Sequence, residues 1–312
     1  MNNEILGIHH ITAIAGNAKK NHDFYTKILG LRLIKKTVNF DDPHTYHFYY
    51  GDEKGTPGSI LTFFPWEGIQ AGRRGTKQVT EIGYSVPAGS LDFWQNRFEQ
   101  HNIIYNKPAV KFGERYLTFL DPDGLKFELT EAKVKDSRPQ WETKEVSKEN
   151  AVHGFHHITI TTNKMEATAA ILTDIFGYKL AETEVNRSRF VTDAVEHAAI
   201  VDLVEAPGEA IGHVAGGSVH HVAFRVKDEE TLLQYRDRAL AMGLHITEKI
   251  DRNYFYSLYF REPGGVLFEI ASDNPGFATD ETVEQLGSGL MLPPQYEPRR
   301  EQIVKVLPVL GE

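Results

Sequence analysis

Three histidine pairs and two glutamates are the residues of this 312-residue chain whose types and spacing best suit metal chemistry. The pairs lie in "GIHHITAIA", "GFHHITITT" and "SVHHVAFRV", each early in a short apolar run. The glutamates, Glu128 and Glu269, close the similar segments "FLDPDGLKFEL" and "YFREPGGVLFEI". Imidazole and carboxylate are ligands for transition metals. Two repeated strand types, one with histidine and one with glutamate, predict a metal site formed after gene duplication.

The amino-acid composition excludes several kinds of site and partner. The chain has no cysteine, which excludes disulfides, thiolate metal sites and cysteine nucleophiles and fits the cytoplasmic location that we expect. The net charge of -9 disfavours nucleic acid as a partner. No apolar run approaches the roughly 20 residues of a membrane span, and the N-terminus lacks the pattern of a secretory signal, so we expect no membrane partner.

The same repeats divide the chain into four units. Each opens with an apolar alternating strand, continues into an amphipathic helix and ends in strands rich in Tyr, Phe, Val and Ile. Asn, Ser or Asp at the helix starts, and Gly after three of the helix ends, are typical caps. They predict helices over 17–29, 90–100, 163–176 and 228–242.

The chain also divides at a charged, aperiodic stretch. We expect domains at 1–132 and 153–272, each holding two units, joined by a linker at 133–152. Residues 273–312 are expected to form an extension, with a loop and a short helix that pack back on the body.

Four units with histidine on an opening strand and glutamate on a closing strand resemble the vicinal oxygen chelate superfamily. That group includes glyoxalase I, extradiol ring-cleaving dioxygenases and fosfomycin-resistance proteins. The resemblance covers nearly the whole chain. It implies an α+β fold of four βαβββ modules in two tandem domains, each a U-shaped mixed sheet enclosing a metal cleft. Within the superfamily, "GIHHIT", "SVHHVAF", "PGGVLFE" and the segment 49–65 look most like Fe(II) enzymes that open hydroquinone-type rings.

The resemblance implies one complete metal site, with His10 from the first unit and His221 and Glu269 from the fourth. Two imidazoles and one carboxylate form the facial triad of non-haem Fe(II) centres, which leaves coordination positions open. Mn(II) is the alternative metal. Because side chains alternate faces along a strand, one histidine of each pair can bind metal. The choice of the second histidine rests on the resemblance.

A duplicate site would use His157 and Glu128, but the position that matches His221 falls near Ile82, which cannot bind metal. We therefore predict that the duplicate site is empty and that His157 is a core or hydrogen-bonded histidine. In the first unit, the position that matches Glu269 falls near Phe63. No fourth ligand is then expected, which argues against glyoxalase I activity.

Two residues of "RNYFYSLYFREPGGVLFE" carry the expected substrate chemistry. Where the catechol-cleaving pattern has a histidine, this chain has Arg252, which resembles the hydroquinone subfamily. We expect Arg252 and Tyr259 to hydrogen-bond the substrate or the metal-bound oxygen species. The alternatives are an ion pair of Arg252 with Asp251 or Glu262, and strand packing for Tyr259.

Three further residues lie beside the ligands in the sequence. His9, His220 and Thr12 are expected to support the metal ligands or to transfer protons.

The expected function is Fe(II)-dependent opening of a para-diol ring, with a small aromatic diol and O2 as partners. Two other functions remain open. Another metal-dependent enzyme of the superfamily, an isomerase, lyase or thiol transferase, would need a fourth metal ligand or a pocket for a thiol cofactor. A protein that binds aromatic or quinone ligands without turnover would serve in resistance. The sequence leaves open the ring substituents, the choice between iron and manganese, and homo-oligomer formation.

Overall fold

The four repeated units fold alike, each as an opening strand, a helix and three further strands. The computed structural model describes residues 4–133 and 135–311, so residues 1–3, 134 and 312 of the expected ranges lie outside the described residues. The strands of the first two units are β1 (Ile8–Ala15), β2 (Arg32–Val38), β3 (Tyr46–Gly51), β4 (Ile60–Pro65), β5 (Gln78–Val86), β6 (Ala109–Lys111), β7 (Glu114–Leu120) and β8 (Lys126–Glu131). Those of the last two are β9 (Gly154–Thr162), β10 (Lys179–Glu184), β11 (Arg187–Val191), β12 (Ile200–Glu205), β13 (Ser218–Val226), β14 (Ile250–Asp251), β15 (Phe255–Arg261) and β16 (Leu267–Pro275).

One helix follows each opening strand, as predicted. The helices are α1 (Ala18–Asp23), α2 (Leu91–Gln100), α3 (Glu166–Ala170) and α4 (Glu229–Ala241). Helices α1 and α3 are shorter than predicted because their second halves are π-helical, at Phe24–Ile28 and Ile171–Ile175. The side chains of Asn17 and Asp228 accept hydrogen bonds from the first turns of α1 and α4, so both caps are confirmed. None of the helices in the described residues is long and apolar enough to cross a membrane.

The sixteen strands form two mixed sheets of eight strands each. The first sheet has the order β14-β15-β16-β13-β1-β4-β3-β2 and joins the fourth unit to the first. The second has the order β10-β11-β12-β9-β5-β8-β7-β6 and joins the third unit to the second. In each sheet two opening strands meet antiparallel at the centre, as β1 with β13 and β9 with β5. The expected boundaries therefore mark repeats along the chain, whereas each sheet combines units from both halves.

Strand alternation separates the core from the cleft of the first sheet. In β3, Phe48 and Tyr50 are fully buried in the main hydrophobic core. Their neighbours His47 and Tyr49 point to the opposite face and line a cavity. Every residue of β1 is buried because helices cover one face and the cleft side chains cover the other.

The C-terminal extension packs on β2, the edge strand of the first sheet. Lys35, fully buried in β2, forms ion pairs with Asp280 and Glu281. The hydroxyl of Tyr296 donates to the carbonyl of Phe40 at 2.8 Å. The extension contains three 3-10 turns and a short helix, at Phe277–Thr279, Val283–Gln285, Glu297–Arg299 and α5 (Arg300–Val306). An extension that packs back on the body is therefore confirmed.

Candidate metal centre

Two β-bulges aim the histidine pairs of the first sheet. In the ladder between β1 and β13, His9 is the extra residue of one strand and His220 that of the other. A bulge leaves one residue unpaired and redirects the side chains around it. Each first histidine reaches its neighbour, with Nδ1 atoms 2.9 Å apart in His9–His10 and 2.8 Å apart in His220–His221. The second histidine of each pair thus has Nδ1 engaged and Nε2 free to face the cleft.

The structure brings His10, His221 and Glu269 together. Oε2 of Glu269 lies 3.2 Å from Nε2 of His10 and 2.9 Å from Nε2 of His221. One ligand atom from each of the three side chains falls within 4.8 Å of the others. In the part of the chain that the structure describes, this is the one group of three or more metal-ligating side chains so close together.

The donor set fits a divalent metal. Glu269 is fully buried, and burial would raise its pKa, but the two imidazoles lower the pKa well below its usual range. Ser257 donates to Oε1, whereas the buried Oε2 has no hydrogen-bond partner among the described residues. A buried carboxylate oxygen without a donor needs a cation. Two ligands bound at about 2.1 Å and at right angles lie roughly 3 Å apart, which matches the observed spacings.

The two ligand histidines, His10 and His221, line a cavity of about 450 Å³, and Glu269 is fully buried behind them. The cavity walls include Tyr259 and Arg252 together with aromatic side chains of β3 and the segment after β4. The guanidinium carbon of Arg252 lies 5.4 Å from the ring centres of both Tyr259 and Phe40. Burial and the charge of Glu269 raise the pKa of the Tyr259 phenol, so it stays protonated and can donate.

The ion pair expected as the alternative role of Arg252 is wrong. The ion-pair partner of Arg252 is Asp41, at 3.9 Å, and not Asp251 or Glu262. Asp41 is largely exposed, so this long pair is weak. Tyr259 lines the cavity beside His221, with ring centres 5.5 Å apart, so its hydroxyl is placed to contact a bound molecule.

Sequence reasoning missed His47, Tyr49 and Thr62. The hydroxyl of Tyr49 is 3.0 Å from Nδ1 of His47, and Nε2 of His47 is 2.9 Å from Oγ1 of Thr62. Thr62 in turn lies 2.8 Å from Oγ1 of Thr12, which was expected to support the ligands. The alternation of His47 and Tyr49 in "TYHFYY" could have shown that they share a face.

The register also corrects the position of a fourth ligand. Thr12 lies two residues after His10 and pairs with Thr62, whereas Ala223 lies two residues after His221 and pairs with Glu269. Thr62 is therefore the residue that matches Glu269. Our assignment of Phe63 was wrong by one residue. Phe63 is fully buried in the core, 4.6 Å from the ring of Tyr25.

A second correction concerns the duplicate site. Gly83 pairs with Glu128 as Ala223 pairs with Glu269, so the residue matching His221 is Glu81 and not Ile82. Glu81 could bind metal. Its carboxylate instead accepts hydrogen bonds from Lys126 and from Arg187.

An ammonium group occupies the duplicate site. Nζ of Lys111 donates to Oε2 of Glu128 and lies 3.3 Å from Nε2 of His157. His157 and Glu128 are 3.2 Å apart, the same spacing as His10 and Glu269. His157 is fully buried, and burial and Lys111 hold its pKa well below the usual value, so it is neutral. His157 is hydrogen-bonded and buried, as predicted. The reason is different, because Lys111 occupies the site, whereas we had expected Ile82 to leave it without a ligand.

Comparisons with known proteins agree with this architecture. The family model described as Glyoxalase/Bleomycin resistance protein/Dioxygenase superfamily matches residues 7–129 and 154–270. MhqO of Bacillus subtilis, provisionally named a ring-cleaving dioxygenase, is 45% identical over 303 residues, which cover 97% of this chain and 96% of MhqO. The chlorohydroquinone/hydroquinone 1,2-dioxygenase of Sphingobium indicum is 34% identical over 310 residues, covering 96% and 95%.

A solved structure shows the same fold over the whole chain. It is a crystal structure from Bacillus subtilis, provisionally named a dioxygenase, with 44% identity and a TM-score of 0.95. The match covers 99% of this chain and 98% of the other.

Proposed function

The chain belongs to the Glyoxalase/Bleomycin resistance protein/Dioxygenase superfamily, and we propose that it is an Fe(II)-dependent ring-cleaving dioxygenase that opens a hydroquinone-type ring with O2. The names of two relatives that span nearly the whole chain support the ring-cleaving class. The observation that carries the proposal is the convergence of His10, His221 and Glu269 at a ligand-sized cavity whose wall includes both histidines.

These three side chains would hold the metal. When bound, Fe(II) supplies open coordination positions at which a diol oxygen and O2 can meet and exchange electrons. Mn(II) suits the same ligands and is the alternative. With a metal on Nε2 of each ligand imidazole, the proton would sit on Nδ1 and be donated to Nδ1 of His9 or His220, so these two neighbours would orient the ligands.

Donors and a fixed cation line the cavity beside the ligands. Since Nδ1 of His220 accepts from His221, the neutral His220 ring carries its proton on Nε2 and can donate it toward the cavity. Tyr259 donates from its hydroxyl, and Arg252 contributes a permanent positive charge. Ring opening breaks one carbon–carbon bond and places both oxygen atoms of O2 in the product, one of them in a new carboxylate. These groups would stabilise the negative charge that develops on oxygen.

The cavity suits a substituted aromatic ring. Its volume of about 450 Å³ falls within the range of small-molecule sites. Phe64, Trp66 and Tyr49 supply aromatic walls, and Thr62 stands where a fourth protein ligand would close the coordination sphere. This favours an oxygenase over a glyoxalase-like isomerase. A cytoplasmic location stays a prediction.

The test is metal analysis of anaerobically purified protein with oxygen consumption on methylhydroquinone, for the wild type and His221→Ala. We expect about one iron per chain in the wild type, and loss of both iron and oxygen uptake in the variant. Bound metal without oxygen uptake would favour an isomerase or lyase. No metal in either protein would indicate a scaffold that binds aromatic ligands without turnover.

A further inference from the structure

Four hydrogen-bonded polar side chains form a chain across the first sheet, from Tyr49 on β3 to Thr12 on β1, two residues after His10. It links the hydroxyl of Tyr49, both nitrogens of His47, and the hydroxyls of Thr62 and Thr12. Each link is between 2.8 and 3.0 Å long. Thr62 is fully buried, whereas Tyr49, His47 and Thr12 line the cavity. A buried network of this kind is strong only when its donors and acceptors point the same way.

The protonation of His47 limits that direction. Burial, followed by the neighbouring histidines and Arg252, lowers its pKa well below the usual value, so the ring is neutral with one N–H. If Nε2–H donates to Thr62, then Nδ1 accepts the proton of the Tyr49 hydroxyl. The Tyr49 oxygen then keeps lone pairs for a donor in the cavity. In that arrangement the series of hydrogen-bonded side chains ends at the Tyr49 oxygen, which can accept a hydrogen bond from the hydroxyl group of a bound molecule.

The four side chains extend across the sheet, away from the strand that carries His10. Thr12, Thr62 and Tyr49 occupy one register row across β1, β4 and β3. Adjacent strands are about 4.8 Å apart, so Tyr49 lies roughly 10 Å across the sheet from the strand that carries His10. A para-diol held by one oxygen at the triad has its second oxygen on the far side of the ring. An ortho-diol places both oxygens at the metal.

We propose that Tyr49 accepts the hydrogen bond of the diol hydroxyl that is not bound to the metal, and that His47 positions Tyr49 for this contact. The inference rests on the proposed function and deepens it, because it assigns the residues that select para-diols. Tyr49 contacts the substrate. His47 acts through Tyr49 and is a positioning residue.

The duplicate cleft supports this assignment. The positions that match His47, Tyr49 and Thr62 hold Arg187, Arg189 and Asp202. Both arginines pair with Asp202 there, so no neutral chain forms. The uncharged series of hydrogen-bonded side chains thus occurs in the cleft that has all three metal ligands.

Tyr49→Phe, which removes one hydroxyl and keeps the ring, tests the assignment. Anaerobic dissociation constants of the Fe(II)-loaded protein are measured for hydroquinone and for 4-methoxyphenol, whose ether cannot donate. We expect the wild type to prefer hydroquinone by about 30- to 100-fold, which is about 2–3 kcal/mol at roughly 1.4 kcal/mol per tenfold, because only hydroquinone can donate to the Tyr49 oxygen. In Tyr49→Phe the preference should fall below about fivefold through weaker hydroquinone binding, with 4-methoxyphenol binding unchanged.

His47→Phe should lose part of the same preference and raise KM for methylhydroquinone more than it lowers kcat. Tyr50→Phe is the matched control, because Tyr50 lies on the same strand, faces the core and donates to Asn21. It should keep the wild-type preference.

An active wild type whose preference survives in Tyr49→Phe would overturn the inference and leave the proposed function intact. A wild type that binds Fe(II) but neither binds hydroquinone nor consumes O2 would overturn both.

Discussion

The two sheets contain clefts at equivalent positions, and the clefts differ in how they neutralise a buried glutamate. Glu269 faces two imidazoles, and one of its oxygens has no hydrogen-bond donor among the residues that the structure describes. Glu128 faces one imidazole and the ammonium of Lys111. The register places Lys111 at the position of Arg252, since β6 pairs with β7 as β14 pairs with β15. One cleft is thus suited to an external cation, and the other supplies its own.

The residues around the two glutamates also differ in charge. Near Glu128, ion pairs join six charged side chains into one network: Lys126, Glu81, Arg187, Asp202, Arg189 and Glu114. His156 and His157 connect this network to the Lys111–Glu128 pair. The edge strands of this sheet also meet, because the backbone N–H of Phe112 donates to Oε1 of Glu184 at 2.7 Å. The first sheet instead has an open cavity lined mainly by aromatic and neutral polar residues, with Arg252, Asp41 and Asp42 as its charged side chains. The same fold therefore supports a reactive site or an ion-pair core, depending on a few side chains.

The largest expected contrast is between the two glutamates. Glu269→Gln should lower metal affinity at least 100-fold and oxygen uptake by about three orders of magnitude, since one of three ligands loses its charge. Glu128→Gln should keep both within about twofold. Metal analysis and oxygen consumption check this. Loss of metal from Glu128→Gln would contradict the assignment of a single metal site.

The free energy of unfolding should depend more on the duplicate site than metal binding does. Lys111→Met leaves Glu128 buried without its ammonium partner and should lower the free energy of unfolding by about 3–5 kcal/mol, measured by urea denaturation. The metal content should stay at the wild-type level. The double variant Lys111→Met with Glu128→Gln is the control, and it should recover part of the loss. A Lys111→Met protein as stable as the wild type would show that the ammonium does not stabilise the duplicate site.

Arg252 and Lys111 occupy matching positions, but Arg252 should affect the turnover rate, whereas Lys111 should affect the free energy of unfolding. Arg252→Ala should lower turnover by about 100-fold with unchanged metal content, because a fixed positive charge beside the reacting oxygens is lost. Steady-state kinetics with metal analysis separates the two effects. If neither turnover nor metal content changes, the role assigned to Arg252 is wrong.

The smallest expected effect is on acid stability in the second sheet. Burial opposes ionisation of Glu114, but His156 and Arg189 lower its pKa to about 2. A carboxyl with a lowered pKa stabilises the fold above its usual pKa of about 4.3, and this stability is lost as the pH falls toward 2. Glu114→Gln should therefore flatten the fall of stability between these pH values, as measured by denaturation at several pH values. An unchanged slope would show that Glu114 does not contribute.

Much of the architecture was predictable because duplication repeats it in the sequence. The pairs "HHIT" and "HHVA", the helix caps at Asn17 and Asp228, and the strands ending in Glu128 and Glu269 each leave a local signal. Those signals predicted the four units, and the resemblance to the superfamily then implied which of their side chains converge at the triad. The preference for the second histidine of each pair came from resemblance, because alternation alone treats the two alike.

The register was not predictable to the residue. Assigning Ile82 and Phe63 to the ligand positions was wrong by one step, and one step along a strand moves a side chain to the other face. The bulges at His9 and His220 have no signal in the sequence, since they depend on how two distant opening strands pair. Lys111 reaches His157 across 46 residues of chain, so a view of local segments could not find the ammonium.

The sequence by itself determined which chemical groups are available: histidine and carboxylate without thiols, repeated on strands that must be buried. Tertiary structure alone decided which groups meet a metal and which meet an ammonium. The physical reason is that both clefts form by pairing of units far apart in the chain, and the charge that a buried glutamate requires comes from whichever side chains this pairing brings to it.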